Sequence, residues 1–137
     1  IAKHAIEERD AVGIYANGIV AGSDQPLRVP PSRSATQLQK LMEGLARISP
    51  YSTVAFARIL AAEMARLPWG STIVVVTSLV PESLIAQLSA LLAAGHQVVL
   101  VTLGEPDVPM LQGLILHRIP LDGAAASDVA VATQGAV

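Results

Sequence analysis

With no cysteine in 137 residues, side-chain chemistry must come from three histidines, the carboxylates, the basic residues and the hydroxyls. His4, His96 and His117 lie far apart in sequence. None is paired at i,i+4 or set beside a carboxylate motif of the kind that holds a metal. His96 follows Gly95, a helix-ending residue, and is expected to meet only helix carbonyls. Glu7, Glu8 and Asp10 cluster where a helix gives way to a strand, which reads as a solvated terminus rather than an acid site. Arg33, Lys40 and Arg47 recur every seven residues and would share one helix face. A docking stripe is one reading of them; the solvent side of an amphipathic helix is the simpler one. There is no GxSxG elbow, no GxxxxGK[ST] phosphate loop and no GxGxxG between a strand and a helix. No catalytic signature is present.

Thr77 and Ser78 are the best-placed polar pair. They follow the apolar run Ile73–Val76, and hydroxyls at the end of a buried parallel strand can hold a phosphate or metal oxygen. They can equally cap the helix that follows, which is the simpler reading. A hard cation such as Mg²⁺ wants a carboxylate, and the next residues are Leu79-Val80-Pro81. No metal site and no cofactor are therefore expected.

The elements that position this pair are plain in Ser71–Leu103. Ile73–Val76 and Val98–Leu103 are unbroken, largely β-branched runs, as strands covered on both faces would be. Between them Leu84, Ile85, Leu88, Leu91 and Leu92 recur at helical spacing, with Pro81 in the first turn and Gly95 at the end. Such a unit predicts parallel neighbouring strands, with Val75 and Val101 in the core under Leu88.

Earlier, Ala5–Arg9 reads as the end of a helix and Asp10–Ala16 as a strand. Asn17-Gly18 and Gly22-Ser23-Asp24 read as turns, and Leu27–Val29 returns as a second strand that Pro30-Pro31 stops. Ser34 with Gln37 forms a capping-box pattern before the stripe Leu38, Leu41, Met42, Leu45 and Ile48. A further helix is expected from Ser52 or Thr53, with Ala57, Leu60, Ala61 and Met64 inward. Leu114–Ile119 predicts one more strand, and residues 120–137 a disordered tail. The pattern predicts an α/β domain over residues 1–119 with a mainly parallel sheet.

Composition narrows the classes. Hydrophobic residues make up 52% and charged ones 15%, so a genuine core is expected. A net charge of −2 with 3% aromatics disfavours nucleic-acid binding. No apolar run reaches the ~20 residues that span a bilayer. The opening IAKHAIEERD reads as a helix cut into, so a fragment is expected, either cytoplasmic or the soluble part of a membrane-anchored protein.

Three segments in series carry a resemblance: VGIYANG at Val12–Gly18, VPPSRSATQLQKLMEGLARI at Val29–Ile48, and Leu67–Gly104. Together they resemble the C-terminal part of the von Willebrand factor A-like domain of bacterial domain-of-unknown-function family fifty-eight. The resemblance implies a Rossmann-type three-layer α/β/α sandwich, N-terminally truncated. It also implies a non-enzymatic protein-interaction role beside a MoxR-type AAA+ ATPase, which many such proteins are encoded next to. Against the metal-binding pattern of von Willebrand A domains, Thr53 falls near the Thr position and Ser78 where an Asp would stand. The site is thus degenerate, and Thr53, Thr77 and Ser78 are the binding candidates. The strand missing from the resemblance would lie between Asp10–Ala16 and Thr72–Thr77, so self-association through that gap is expected. Pairing of those two strands, or filling of the gap by Asp128–Ala132, are the alternatives. The rival function is a fragment of a small Rossmann-like enzyme or ligand-binding domain.

Overall fold

The structure is a computed structural model that describes residues 1–121. The larger part of the expected tail, and Asp128–Ala132 with it, lies outside the described residues. The order is α1 (Ala2–Glu7), β1 (Val12–Ile19), β2 (Pro26–Ser32), α2 (Gln37–Ala46), α3 (Phe56–Met64), β3 (Thr72–Thr77), α4 (Glu82–Ala93), β4 (Gln97–Leu103) and β5 (Leu114–Ile119). This is the alternation expected from the sequence. The chain divides into two compact units, with the boundary inside α3 between Ala62 and Glu63.

In the first unit β1 and β2 form a two-stranded antiparallel hairpin. Two local expectations are corrected here. Asn17-Gly18 is not a turn but the end of β1; the chain reverses further on, where Gly22 takes φ +83°. Gly18 is needed for closeness instead, because a Cβ there would lie 2.5 Å from the Ser49 carbonyl oxygen. That closeness lets the segment after α2 extend the sheet: Ser49 N–H donates to Ile19 O at 2.7 Å, and Ile19 N–H to Tyr51 O at 3.1 Å. Nor do Pro30 and Pro31 stop the second strand, which runs on to Ser32. Lacking N–H groups, they sit at a register shift, where Val12 faces Ser32 but Ile14 faces Val29.

The shift leaves carbonyls without ladder partners, and Gln37 supplies them. Its Nε2 donates to Val12 O at 2.6 Å and to Pro30 O at 3.0 Å, and the residue is 1% exposed. The expected capping box is therefore absent. Thr36 is the N-cap without a side-chain bond, and the Ser34 and Thr36 hydroxyls bond each other. Gln37→Leu is expected to lower unfolding free energy by about 1–3 kcal/mol, since two carbonyls lose their donor. Gln37→Glu should cost more, because a carboxylate cannot donate to either; urea titration of both variants checks the order.

Of the predicted α2 stripe only Leu41 is buried, while Met42 and Leu45 are exposed. Arg33 lies outside the helix and Arg47 is its C-cap, so the seven-residue stripe is not one helix face. Arg47 Nη2 instead donates to Ala21 O at 3.2 Å. Helix α3 starts at Phe56 rather than at Ser52 or Thr53, the Ser52 hydroxyl being bonded to Val54 O. Ala57 and Leu60 are buried as expected; Ala61 is exposed.

The second unit holds a three-stranded parallel sheet in the order β3-β4-β5, flanked by helix. Central β4 is buried from Val98 to Thr102, as its unbroken apolar run requires. Strand β3 is an edge among the described residues, so Val76 is 55% exposed and only Val75 is fully buried. Strands β1 and β3 belong to different sheets, one in each unit. Helix α4 ends as Gly95 predicts. With φ +87° there, Gly95 N–H bonds Leu92 O and His96 N–H bonds Leu91 O, the paired bonds of a Schellman motif. Pro81 is the N-cap, one position before the first helical residue.

Leu84, Leu88 and Leu91 of α4 are at most 2% exposed and cover the Val75, Val98 and Leu100 side of the sheet. Val101 is buried on the opposite side, in a cluster with Val99 and Ile119. Register explains the correction: Val75 faces Leu100, and Val101 faces Val76, so Leu88 cannot cover both valines.

Candidate functional site

In an open parallel sheet the carboxyl ends of the strands are where chemistry is placed. Here β3 ends in Thr77, β4 in Thr102-Leu103 and β5 in Arg118-Ile119. Register aligns Thr77 with Thr102 and Thr102 with Arg118. The three side chains therefore leave the sheet on one face, the face that α4 covers. Neither Thr102 nor Arg118 is apparent from sequence spacing, because only the strand register sets them beside Thr77. The signal available was their position in runs of apolar residues, which by itself names no partner.

Each polar group in the row has a local partner. The Thr77 hydroxyl donates to Leu79 O at 2.9 Å and accepts from Leu79 N–H at 3.2 Å, closing its own turn. This is the local hydroxyl turn that competes with helix capping, so Thr77 does not cap α4. Thr102 is fully buried, and its hydroxyl donates to Gly104 O at 3.4 Å. Arg118 Nη1 donates to Pro106 O at 2.9 Å and pins the loop after β4. Gly104 begins that loop at φ +82°, and its N–H bonds Ile119 O at 2.7 Å. Ser78 is exposed at the end of β3. Thr53 is exposed too, but belongs to the unit of residues 1–62, in the segment before α3.

The other candidates do not converge. Among the described residues no three His, Cys, Asp or Glu side chains group as metal ligands. His4 is exposed on α1. His96 Nδ1 and His117 Nε2 are buried without a hydrogen-bond partner, one at the start of β4 and the other on β5. Glu63 is 8% exposed and pairs with Arg66 at 3.5 Å, a helix-end pair that the sequence reading passed over. A shallow groove of about 330 Å³ lies between α4 and the loop before β5, lined by Ser89, Leu92, Ala93, Leu111 and Gln112. None of those side chains titrates, so the groove offers no acid or base.

No family model, curated protein or solved structure matches this chain. What distinguishes the carboxyl end is thus read from its own residues. Beside those hydroxyls stand exposed apolar side chains: Leu79 is 74% exposed and Leu121 72% exposed. Leu121 lies against the loop start, since a Cβ on Gly104 would sit 3.4 Å from its Cδ1. Elsewhere, among the described residues, no helix is long and apolar enough to cross a membrane.

Proposed function

We propose that this chain is a non-enzymatic protein-interaction module that acts with an AAA+ ATPase of the MoxR type. The observation that carries the interaction role is the apolar rim of Leu79 and Leu121 at the carboxyl end of the sheet. Large exposed apolar side chains at the place where such sheets bind suit a protein surface better than a small polar substrate. The hydroxyls there are committed to their own turns, which leaves little free donor chemistry. The kind of partner rests on the resemblance of Val12–Gly18, Val29–Ile48 and Leu67–Gly104 to the von Willebrand A-like family. Within that reading the fold is the truncated three-layer sandwich, with Thr53 near the Thr position of the metal-binding pattern and Ser78 where its Asp would stand.

One observation favours the rival ligand-binding reading: the aligned row of Thr77, Thr102 and Arg118 beside the loop that leads into α4. Against it, Glu82 places a carboxylate in the first turn of α4, where a phosphate would otherwise be welcome.

Calorimetric titration of the chain with a MoxR-type ATPase separates the two. Saturable binding is expected, weakened at least about tenfold by Leu79→Asp with the melting temperature unchanged. Absence of binding to the ATPase, with saturable heat from inorganic phosphate or a nucleotide lost in Arg118→Ala, would favour the rival.

A further inference from the structure

Asn17 is the one asparagine in 137 residues, and a glycine follows it. In an open chain that pair readily loses its side-chain amide, because glycine carries no side chain to shield its nitrogen. In the fold the pair lies in β1 at a register shift. Ala16 faces Leu27 and Ile19 faces Pro26, so Asn17 and Gly18 are both extra to the ladder. Asn17 is half-buried and Gly18 buried. No other residue fits at position 18, since a Cβ there would lie 2.5 Å from the Ser49 carbonyl oxygen. The packing that demands this glycine therefore also keeps the reactive pair.

We propose that Asn17 is a covalent modification site gated by folding: it converts to isoaspartate while β1 is open, and the converted chain cannot rebuild β1. The step begins when the Gly18 amide nitrogen, its proton taken by hydroxide, attacks Asn17 Cγ. A bond forms between that nitrogen and Cγ, the bond from Cγ to the side-chain nitrogen breaks, and ammonia leaves. Water then opens the five-membered imide at either carbonyl carbon. One opening gives aspartate; the other gives isoaspartate, whose main chain runs through Cβ and Cγ and is longer by one carbon. Ring closure requires the peptide after Asn17 to rotate away from the extended strand conformation. The native chain holds that peptide between fixed points. Ala16 is paired with Leu27, Ile19 N–H donates to Tyr51 O at 3.1 Å, and Ile19 O accepts from Ser49 N–H at 2.7 Å. Rotation between them would drive Gly18 into Ile48 and Ser49, which already stand against it. The extra carbon of isoaspartate falls in the same place, where even a methyl group has no room. Prolonged opening of this unit thus becomes irreversible.

Ageing the full chain in mildly alkaline buffer, with and without denaturing urea, tests the idea. Conversion is read from released ammonia and from the tryptic peptide 10–28, which holds the pair. Asp122-Gly123 can also form isoaspartate, but it releases no ammonia and falls in a different peptide. Conversion should be at least about tenfold slower without urea, as a reaction through a minor open state requires. Gln37→Leu, which removes the side-chain bonds to Val12 O and Pro30 O, should speed conversion in plain buffer and leave the rate in urea unchanged. If that variant does not fold, the two rates of the unaltered chain still decide. When the urea-aged chain is returned to plain buffer, the compact fraction from gel filtration should be depleted of isoaspartate relative to the aged mixture. Equal rates in the two solvents, a folded Gln37→Leu that ages no faster, or isoaspartate refolding in proportion to its share would each overturn the proposal.

Discussion

Truncation of Leu88 to alanine will lower the free energy of unfolding by about 2–5 kcal/mol, the largest loss expected from any single apolar side chain here. Leu88 is 0% exposed in the middle of α4, with Leu84 and Leu91 one turn to either side. Beneath them the sheet presents Val75, Val98 and Leu100, each at most 1% exposed. A leucine enclosed so completely leaves a cavity that its neighbours cannot fill, because both helix and sheet are held by their own backbone bonds. The cost therefore includes lost dispersion contacts as well as lost transfer from water. Leu92→Ala, one residue beyond the buried face, should cost visibly less. Guanidinium titration of the two variants checks the order. A Leu88→Ala loss below about 0.5 kcal/mol would show that α4 does not cover the sheet as described.

The second large effect is expected at Gly18, where alanine should cost about 1–3 kcal/mol although it adds only a methyl group. The new Cβ would meet the Ser49 carbonyl oxygen at 2.5 Å and Ile48 Cγ1 at 2.7 Å. Ile48 can rotate away, but Ser49 O is backbone, and Ser49 N–H is bonded to Ile19 O. Relief therefore requires the segment from Arg47 to Tyr51 to draw back, lengthening the bonds Ala21 N–H to Arg47 O and Ile19 N–H to Tyr51 O. Gly22 is the counterpart. It has φ +83° and nothing within 4 Å of an added Cβ, and asparagine accepts that conformation, so Gly22→Asn should cost less than about 1 kcal/mol. Equal losses from the two variants, measured by urea titration, would mean that the Gly18 contact yields easily.

The contrast between these two glycines bears on how far the chain can be read without coordinates. Gly22 and Gly95 act locally, each taking the left-handed conformation that ends a strand or a helix, and that preference travels with the residue. For the same reason the β3-α4-β4 unit and Leu114–Ile119 are legible in sequence. Unbroken β-branched runs and a leucine stripe of helical period can bury themselves in few other ways.

Gly18, Pro30-Pro31 and Gln37 mislead because their roles depend on groups distant in the chain: the Ser49 carbonyl, the shifted ladder and the carbonyls of Val12 and Pro30. Local turn and capping preferences cannot register a demand made from elsewhere. The candidate site divides in the same way. Thr77 and Ser78 stand out because a strand visibly ends there. Thr102 and Arg118 join Thr77, and Val101 parts from Val75, only through strand register, in which a shift of one residue exchanges the two faces of a sheet. That β3 lies at the border of its sheet among the described residues is likewise a property of strand order. A run such as TIVVVT looks the same at the centre of a sheet as at its border, and only the assembled neighbours decide which backbone groups are left to bond.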